Sequence, residues 1–373
     1  LAIADGYVYG ATVDSGFALD QETGEQVWKV PLTRDSTESV DMAPGVHDGK
    51  VYVSTVPVTP ETTYAPGAVG TLYALDAKTG KKEWSWDTVP KGLWGHPEIN
   101  SGGGLWYPPS FDVKGDVYVG TGNPGPLPGT GEFPYGSSRP GPNLYADSMV
   151  KLDPDNGKVI WYYQQTPHNI YDWDFQNPPV LVEAGGKELA IGSGKSGVVV
   201  AIDRQTGKPV WKRPAGVHNG HDNDPLYAMR KEYSKIKPGA VYPGELGGII
   251  APLATDGKMV FVPVINAPQN GGGGTNGEVI ALDVQTGVIR WNAEFAASPY
   301  GAPTVVNDLV FATTADGVVH ALKTETGGEA WQASLPAGTN AGVSVSGEML
   351  IAPAGLAVEE GQTPQLVAFK LGG

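Results

Sequence analysis

One eleven-residue phrase recurs six times along the chain, so the fold has to be read repeat by repeat. Its form is Ala-Leu-Asp-x-x-Thr-Gly-x-x-x-Trp, and its copies close at Trp28, Trp84, Trp161, Trp211, Trp291 and Trp331. Over residues 72–76 alternate side chains face opposite sides, which is the period of a strand. Asp76 and Thr79 are placed to hydrogen-bond the backbone of a tight turn, and Gly80 accepts positive φ there. A second strand then leads to Trp84. A tryptophan buries on the order of 150–250 Å², so the repeated rings are expected to dock neighbouring repeats and to touch no ligand.

Two further strands precede each phrase, such as residues 302–306 and 309–313 ahead of Trp331. A full unit is four short antiparallel strands, about the ~40 residues of a propeller blade. The intervals between successive tryptophans are 56, 77, 50, 80 and 40 residues. The last is a bare blade and the others carry insertions, the longest near 122–146 and 215–247, both rich in Gly and Pro. Loops inserted on a rigid scaffold are where function usually sits. The expected fold is all-β: a β-propeller of four-stranded antiparallel blades docked by tryptophan, one domain over residues 1–373. Residues 1–30 make one blade, and the last has only 342–346, 349–353 and 365–371. Seven blades are therefore visible, the last incomplete. An open seam exposes strand edges, and the chain starts with Leu1, so further chain upstream and an eight-bladed parent are expected.

A net charge of −15 argues against nucleic acid or an anionic membrane as the main partner. No apolar run approaches the ~18 residues that cross a bilayer, so no transmembrane segment is predicted. With no cysteine there is neither a disulfide nor thiolate chemistry, and no c-type haem motif.

Four segments exceed what a plain propeller needs. Gly102-Gly103-Gly104-Leu105-Trp106 carries a tryptophan outside the docking phrase, either a rim packer or a platform for a planar ligand. Gly120-Thr121-Gly122-Asn123-Pro124 lets backbone approach a ligand and offers the Asn123 oxygen to a hard cation. Thr166-Pro167-His168-Asn169-Ile170-Tyr171-Asp172-Trp173-Asp174 places two carboxylates at i and i+2. They are either solvated loop acids, or a metal site with a general base. Gly192-Ser193-Gly194-Lys195-Ser196-Gly197 lacks the spacing and following helix of a phosphate-binding loop, so Lys195 is read instead as a cation for an anionic ligand.

With these segments in this order, the chain resembles the quinoprotein alcohol dehydrogenases, propellers that bind pyrroloquinoline quinone (PQQ). The resemblance implies that Trp106 lies under the quinone and that Asn123 coordinates the active-site metal. It implies that Asp172 is the catalytic base and a metal ligand, with Tyr171 standing where a tryptophan is usual. Lys195 would donate to the quinone oxygens, and Asn266 would reach the quinone too. Asp174 resembles the extra carboxylate of lanthanide-dependent members, so Ca²⁺ and a lanthanide ion are both admitted. The implied activity is PQQ-dependent oxidation of an alcohol or sugar by metal-assisted hydride transfer. Electrons would pass to a separate acceptor such as a cytochrome, in the periplasm or outside the cell. Two departures stand out. The family's metal-binding Glu is expected shortly before Leu72, where residues 65–71 hold no carboxylate, so that Asp174 or Asp41 has to compensate. The cysteine pair usual above the quinone is absent. The competing reading is a non-catalytic propeller acting as a binding or assembly scaffold or a sensor. His218 and His221, with Asp222 and Asp224 nearby, are either a further metal site or a polar loop. Trp94, Phe133, Tyr135 and Tyr171 are candidates for a pocket mouth.

Overall fold

The strands follow one another in chain order as antiparallel meanders. The structure, a computed structural model, describes residues 1–58, 65–270, 276–357 and 361–370. Among the described residues six sheets have four strands each, with inner hairpins such as Lys50–Thr55 with Thr71–Asp76 and Met259–Ile265 with Gly277–Asp283. A further sheet has three strands, Ser344–Ser346, Met349–Ala354 and Gln365–Lys370, and a two-stranded one pairs Ser101–Gly102 with Pro124–Gly125. This is the blade series expected from the sequence; the predicted end of the last strand at Leu371 lies outside the described residues.

The repeated phrase folds as its residue types dictate. Asp76 Oδ1 accepts from Thr79 N at 2.8 Å and Thr79 Oγ1 at 2.6 Å. Asp20 with Thr23, Asp203 with Thr206 and Asp283 with Thr286 do the same. Just before each such acid the register slips by a bulge, as between Ala74 and Leu75 and between Ala281 and Leu282. The bulge re-aims the following strand.

For four of the rings the docking partner is a fixed place in a later phrase. Trp28 Nε1 donates to Ala77 O at 2.9 Å and Trp84 Nε1 to Pro154 O at 2.8 Å. Trp211 Nε1 donates to Val284 O at 3.0 Å and Trp291 Nε1 to Thr324 O at 2.7 Å. Each acceptor is the residue after the phrase's third position, which is Asp76, Asp153, Asp283 or Lys323. The same ring covers the turn glycine: a Cβ on Gly80 would lie 2.7 Å from Trp28, and one on Gly157 would lie 2.5 Å from Trp84. Gly80 (φ +69) is thus required twice, for its conformation and for the ring above it. Trp331 is 39% exposed and meets Phe369 of the three-stranded sheet edge-on.

Contacts divide the chain into two compact units. The first comprises Leu1–Leu181 with Asp222–Pro238; its cores gather around Tyr9, Trp28 and Leu75, and around Tyr52, Trp84 and Leu152. The second comprises Val182–His221 with Gly239–Gly373; its cores gather around Phe261 and Trp291, and around Val319 and Ala352. The segment Asp222–Pro238, with the short helix Asp224–Met229, lies within the longer insertion yet packs as part of the first unit.

Candidate functional site

Three of the four singled-out segments meet inside the first unit. Ser101–Gly102 pairs antiparallel with Pro124–Gly125, and Gly103 N donates to Asn123 O at 2.9 Å. Gly122 N donates back to Gly104 O at 2.8 Å. A Cβ on Gly122 would lie 1.9 Å from Trp106 Cζ3, so the half-buried indole of Trp106 rests on that glycine. The third segment joins through Phe175 N, which donates to Thr121 O at 3.1 Å. Asp174 is buried, and its Oδ1 accepts Asn123 N at 2.6 Å. Trp106, Asn123 and Asp174 are therefore neighbours, with Asp172 two residues from Asp174 on the same strip of chain. Asp172 has φ +62, the left-handed region that Asp and Asn tolerate better than most residues.

Two charged residues that the sequence reading passed over belong to this place. Asp147 is wholly buried beside Gly122, and its backbone N donates to Gly122 O at 3.1 Å. Its Oδ1 accepts from Asn169 Nδ2 at 3.0 Å, while Oδ2 has no hydrogen-bond partner among the described residues. Burial, and then the nearby charge of Asp174, holds its carboxyl well above the usual carboxylate range. Arg139 is also fully buried and donates to Asn143 Oδ1, Asn169 O and Pro126 O. Burial lowers its guanidinium to about 10, against the pull of Asp147. Arg139 is the only basic residue of 122–146, which was the one available signal. Among the described residues no three His, Cys, Asp or Glu side chains gather closely enough to hold one ion by themselves. Asp147 feels the charges of Asp172 and Asp174 without converging on one point with them.

His168 faces two carbonyls, Gly141 O at 3.0 Å and Tyr135 O at 2.9 Å. A neutral ring can donate to only one of them, yet burial first and Arg139 second lower its proton affinity. Below its ordinary value of 6.5 the unfolded chain thus binds the proton that the folded chain resists. Stability is fully present above that pH and is lost as pH falls from it through the lower folded value. Urea melts at pH 7.5 and 5.5 are expected to show this drop in the wild type and a smaller one in His168→Gln. Equal drops would remove His168 as the cause.

Lys195, Asn266, His218 and His221 lie in the second unit, and Asp41, Trp94 and Asp224 in the first. Lys195 is half-buried at the hairpin turn between strands Lys187–Gly192 and Val198–Asp203, where Gly197 N donates to Gly194 O at 3.0 Å. A Cβ on Gly248 would lie 2.1 Å from Lys195 O, so that backbone is closely packed. Asn266 Oδ1 accepts Val217 N at 3.0 Å and so anchors the start of the long insertion. His218 Nε2 lies 3.3 Å from Ala215 O, and Asp224 accepts the Tyr171 hydroxyl at 2.7 Å. Trp94 is 5% exposed and donates to Leu144 O, so it packs beneath the loops instead of framing a mouth. Asp41 is exposed.

The chain is similar along most of its length to curated and solved quinoproteins. It is 29% identical to the quinohemoprotein alcohol dehydrogenase of Comamonas testosteroni, over 91% of this chain and 56% of that protein. The crystal structure of the Comamonas enzyme covers 97% of this chain with 65% of its own, at 25% identity and a TM-score of 0.78. The family model of the glucose/ethanol/alcohol dehydrogenase β-propeller domain matches residues 33–214. The fold is a β-propeller similar to that of the PQQ-dependent alcohol dehydrogenases. Fold likeness to this propeller extends to the quinohemoprotein alcohol dehydrogenase ADHIIG of Pseudomonas putida. There the TM-score is 0.83 at 23% identity, over 100% of this chain and 66% of that one. It extends also to a europium-containing methanol dehydrogenase, with a TM-score of 0.74 at 21% identity over 95% and 72%. A second family model, outer membrane protein assembly factor BamB, matches residues 195–371 of the propeller. The propeller spans about half the length of the curated relative from Comamonas, 56% of it. Among its described residues no helix is long and apolar enough to cross a membrane.

Proposed function

We propose that this propeller binds PQQ with a metal ion and oxidises an alcohol or sugar, outside the cytoplasm, passing electrons to a separate acceptor such as a cytochrome. The observation that carries the reading is that Trp106, Asn123 and Asp174 are neighbours within one compact unit, with Asp172 two residues from Asp174 on the same strip of chain. The residues fit the groups they would hold. Trp106 offers a planar ring seated on Gly122 and Gly104, suited to lie under a flat quinone. Asn123, Asp172 and Asp174 are hard oxygen donors. The buried Oδ2 of Asp147 adds an oxygen that lacks a hydrogen-bond partner among the described residues. That donor set suits Ca²⁺ or a lanthanide ion completed by other ligands, with Asp174 in place of the carboxylate missing from 65–71.

When bound, the quinone supplies a two-electron acceptor and the cation a Lewis acid. The protein's own part is placement and proton transfer. Trp106 fixes the plane of the ligand, Asp172 takes the proton of the substrate hydroxyl, and Asp174 ties the base segment to Asn123. The roles that the resemblance gives Lys195 and Asn266 toward the quinone stand in the same proposal. Assembly scaffolding is the second reading, favoured by the BamB match over residues 195–371. The deciding experiment is to incubate the protein with PQQ plus Ca²⁺, or plus La³⁺, and measure the quinone absorbance retained after gel filtration. Near-stoichiometric, metal-dependent retention is expected. No retention with either ion would sink the quinoprotein reading and leave the scaffold.

A further inference from the structure

Asp172 sits in left-handed backbone, and something has to hold it there. On its C-terminal side the chain is pinned by Asp174 Oδ1 to Asn123 N and by Phe175 N to Thr121 O. On its N-terminal side Tyr171 N donates to Asn169 Oδ1 at 2.9 Å. The Tyr171 side chain reaches much further: its hydroxyl donates to Asp224 Oδ2 at 2.7 Å. Asp224 is 1% exposed and opens the helix Asp224–Met229. A second tie fastens the same segment, because Tyr233 stacks on Tyr135 with ring centroids 5.0 Å apart. The carbonyl of Tyr135 is in turn held by His168.

A buried carboxylate is costly to desolvate, and a packing contact alone would be served as well by an apolar side chain. What Asp224 adds is a short, charge-assisted, directional bond to the residue that precedes the candidate base. We propose that Asp224 and Tyr171 form a positioning pair: segment 222–238 clamps the backbone at Tyr171 and so fixes where the Asp172 carboxylate points. The proposal rests on the reading of Asp172 as base for its effect on turnover. It does not rest on that reading for its effect on the backbone, and the two are separable.

The test compares Tyr171→Phe, Asp224→Asn, the double variant and the surface control Lys235→Ala, all in the intact protein. Hydrogen exchange of amides 169–175 is followed without added ligand. Exchange is expected to accelerate in both single variants and not in the control. With PQQ and Ca²⁺ loaded, kcat for a primary alcohol is expected to fall by about tenfold to 10²-fold, the scale set by a base displaced by about 1 Å. KM and quinone retention should stay within about twofold. In the double variant the melting temperature recovers relative to Tyr171→Phe, because the stranded buried carboxylate is gone, while kcat does not. Unchanged exchange at 169–175 in both single variants overturns the pair, and so does recovery of kcat in the double variant. A wild type that neither retains quinone nor turns over alcohol overturns the dehydrogenase reading alone, and the exchange result still decides the pair.

Discussion

Asp172→Asn is expected to retain quinone and to lose turnover by about 10²–10⁴-fold, the range a positioned general base supplies. The substitution isolates the proton acceptor. Asn tolerates left-handed backbone as Asp does, so the φ of +62 at this position survives the change. The amide keeps the shape and one oxygen of the carboxylate, and gives up only its negative charge and its basicity. Asp174 is poorly placed to substitute, since it is buried and its Oδ1 is committed to Asn123 N. Asp147 is worse placed, since it is wholly buried and burial favours its protonated form. The measurement is kcat with an alcohol and an artificial acceptor, alongside retained quinone absorbance and melting temperature. Turnover within tenfold of wild type, at equal quinone loading, would remove Asp172 from the base role.

How far the sequence told this in advance depends on the range over which each residue acts. The blades were legible because their causes are local: alternation along a strand, an Asp and a Thr three residues apart in the turn, a glycine at positive φ. That the tryptophans dock neighbouring repeats was legible from their size and period. Their acceptor, the carbonyl of the residue after the third position of the next phrase, was not, because it comes from the bulge and the packing of one sheet on another. Trp106, Asn123 and Asp172 were legible as segments a propeller does not need. What they meet was hidden. Asp147 looked like an ordinary acid before a strand, and only the fold shows it buried next to Gly122. Asp224 looked like a turn residue or a metal ligand beside two histidines. Its partner is Tyr171, 53 residues away, and no local pattern links them. Asn266 was read toward a cofactor, and the structure also gives its oxygen a structural task at Val217 N.

Gly122→Ala is expected to cost quinone binding without touching any polar group of the site. The added Cβ would lie 1.9 Å from Trp106 Cζ3 and 2.2 Å from Cη2, far inside contact distance. Backbone strain is not the cause, because Gly122 does not occupy the left-handed region. The indole has to leave its seat, and the backbone ties of Gly122 to Gly104 O and Asp147 N limit how far the glycine can retreat. Overpacking of this kind costs about 1–3 kcal/mol of stability. A stacked aromatic contact is worth about 0.5–1.5 kcal/mol beyond its area, so losing the platform weakens retention by up to about tenfold from stacking alone, and further from lost area. Gly131→Ala is the control, in the same insertion but with nothing within 4 Å of its Cβ; it should change neither property. Adding Trp106→Phe to Gly122→Ala gives the smaller ring room and is expected to restore melting temperature but not quinone retention. Full retention in Gly122→Ala, with the melting temperature lowered, would mean that the indole is a rim packer and that the flat ligand, if bound, rests elsewhere.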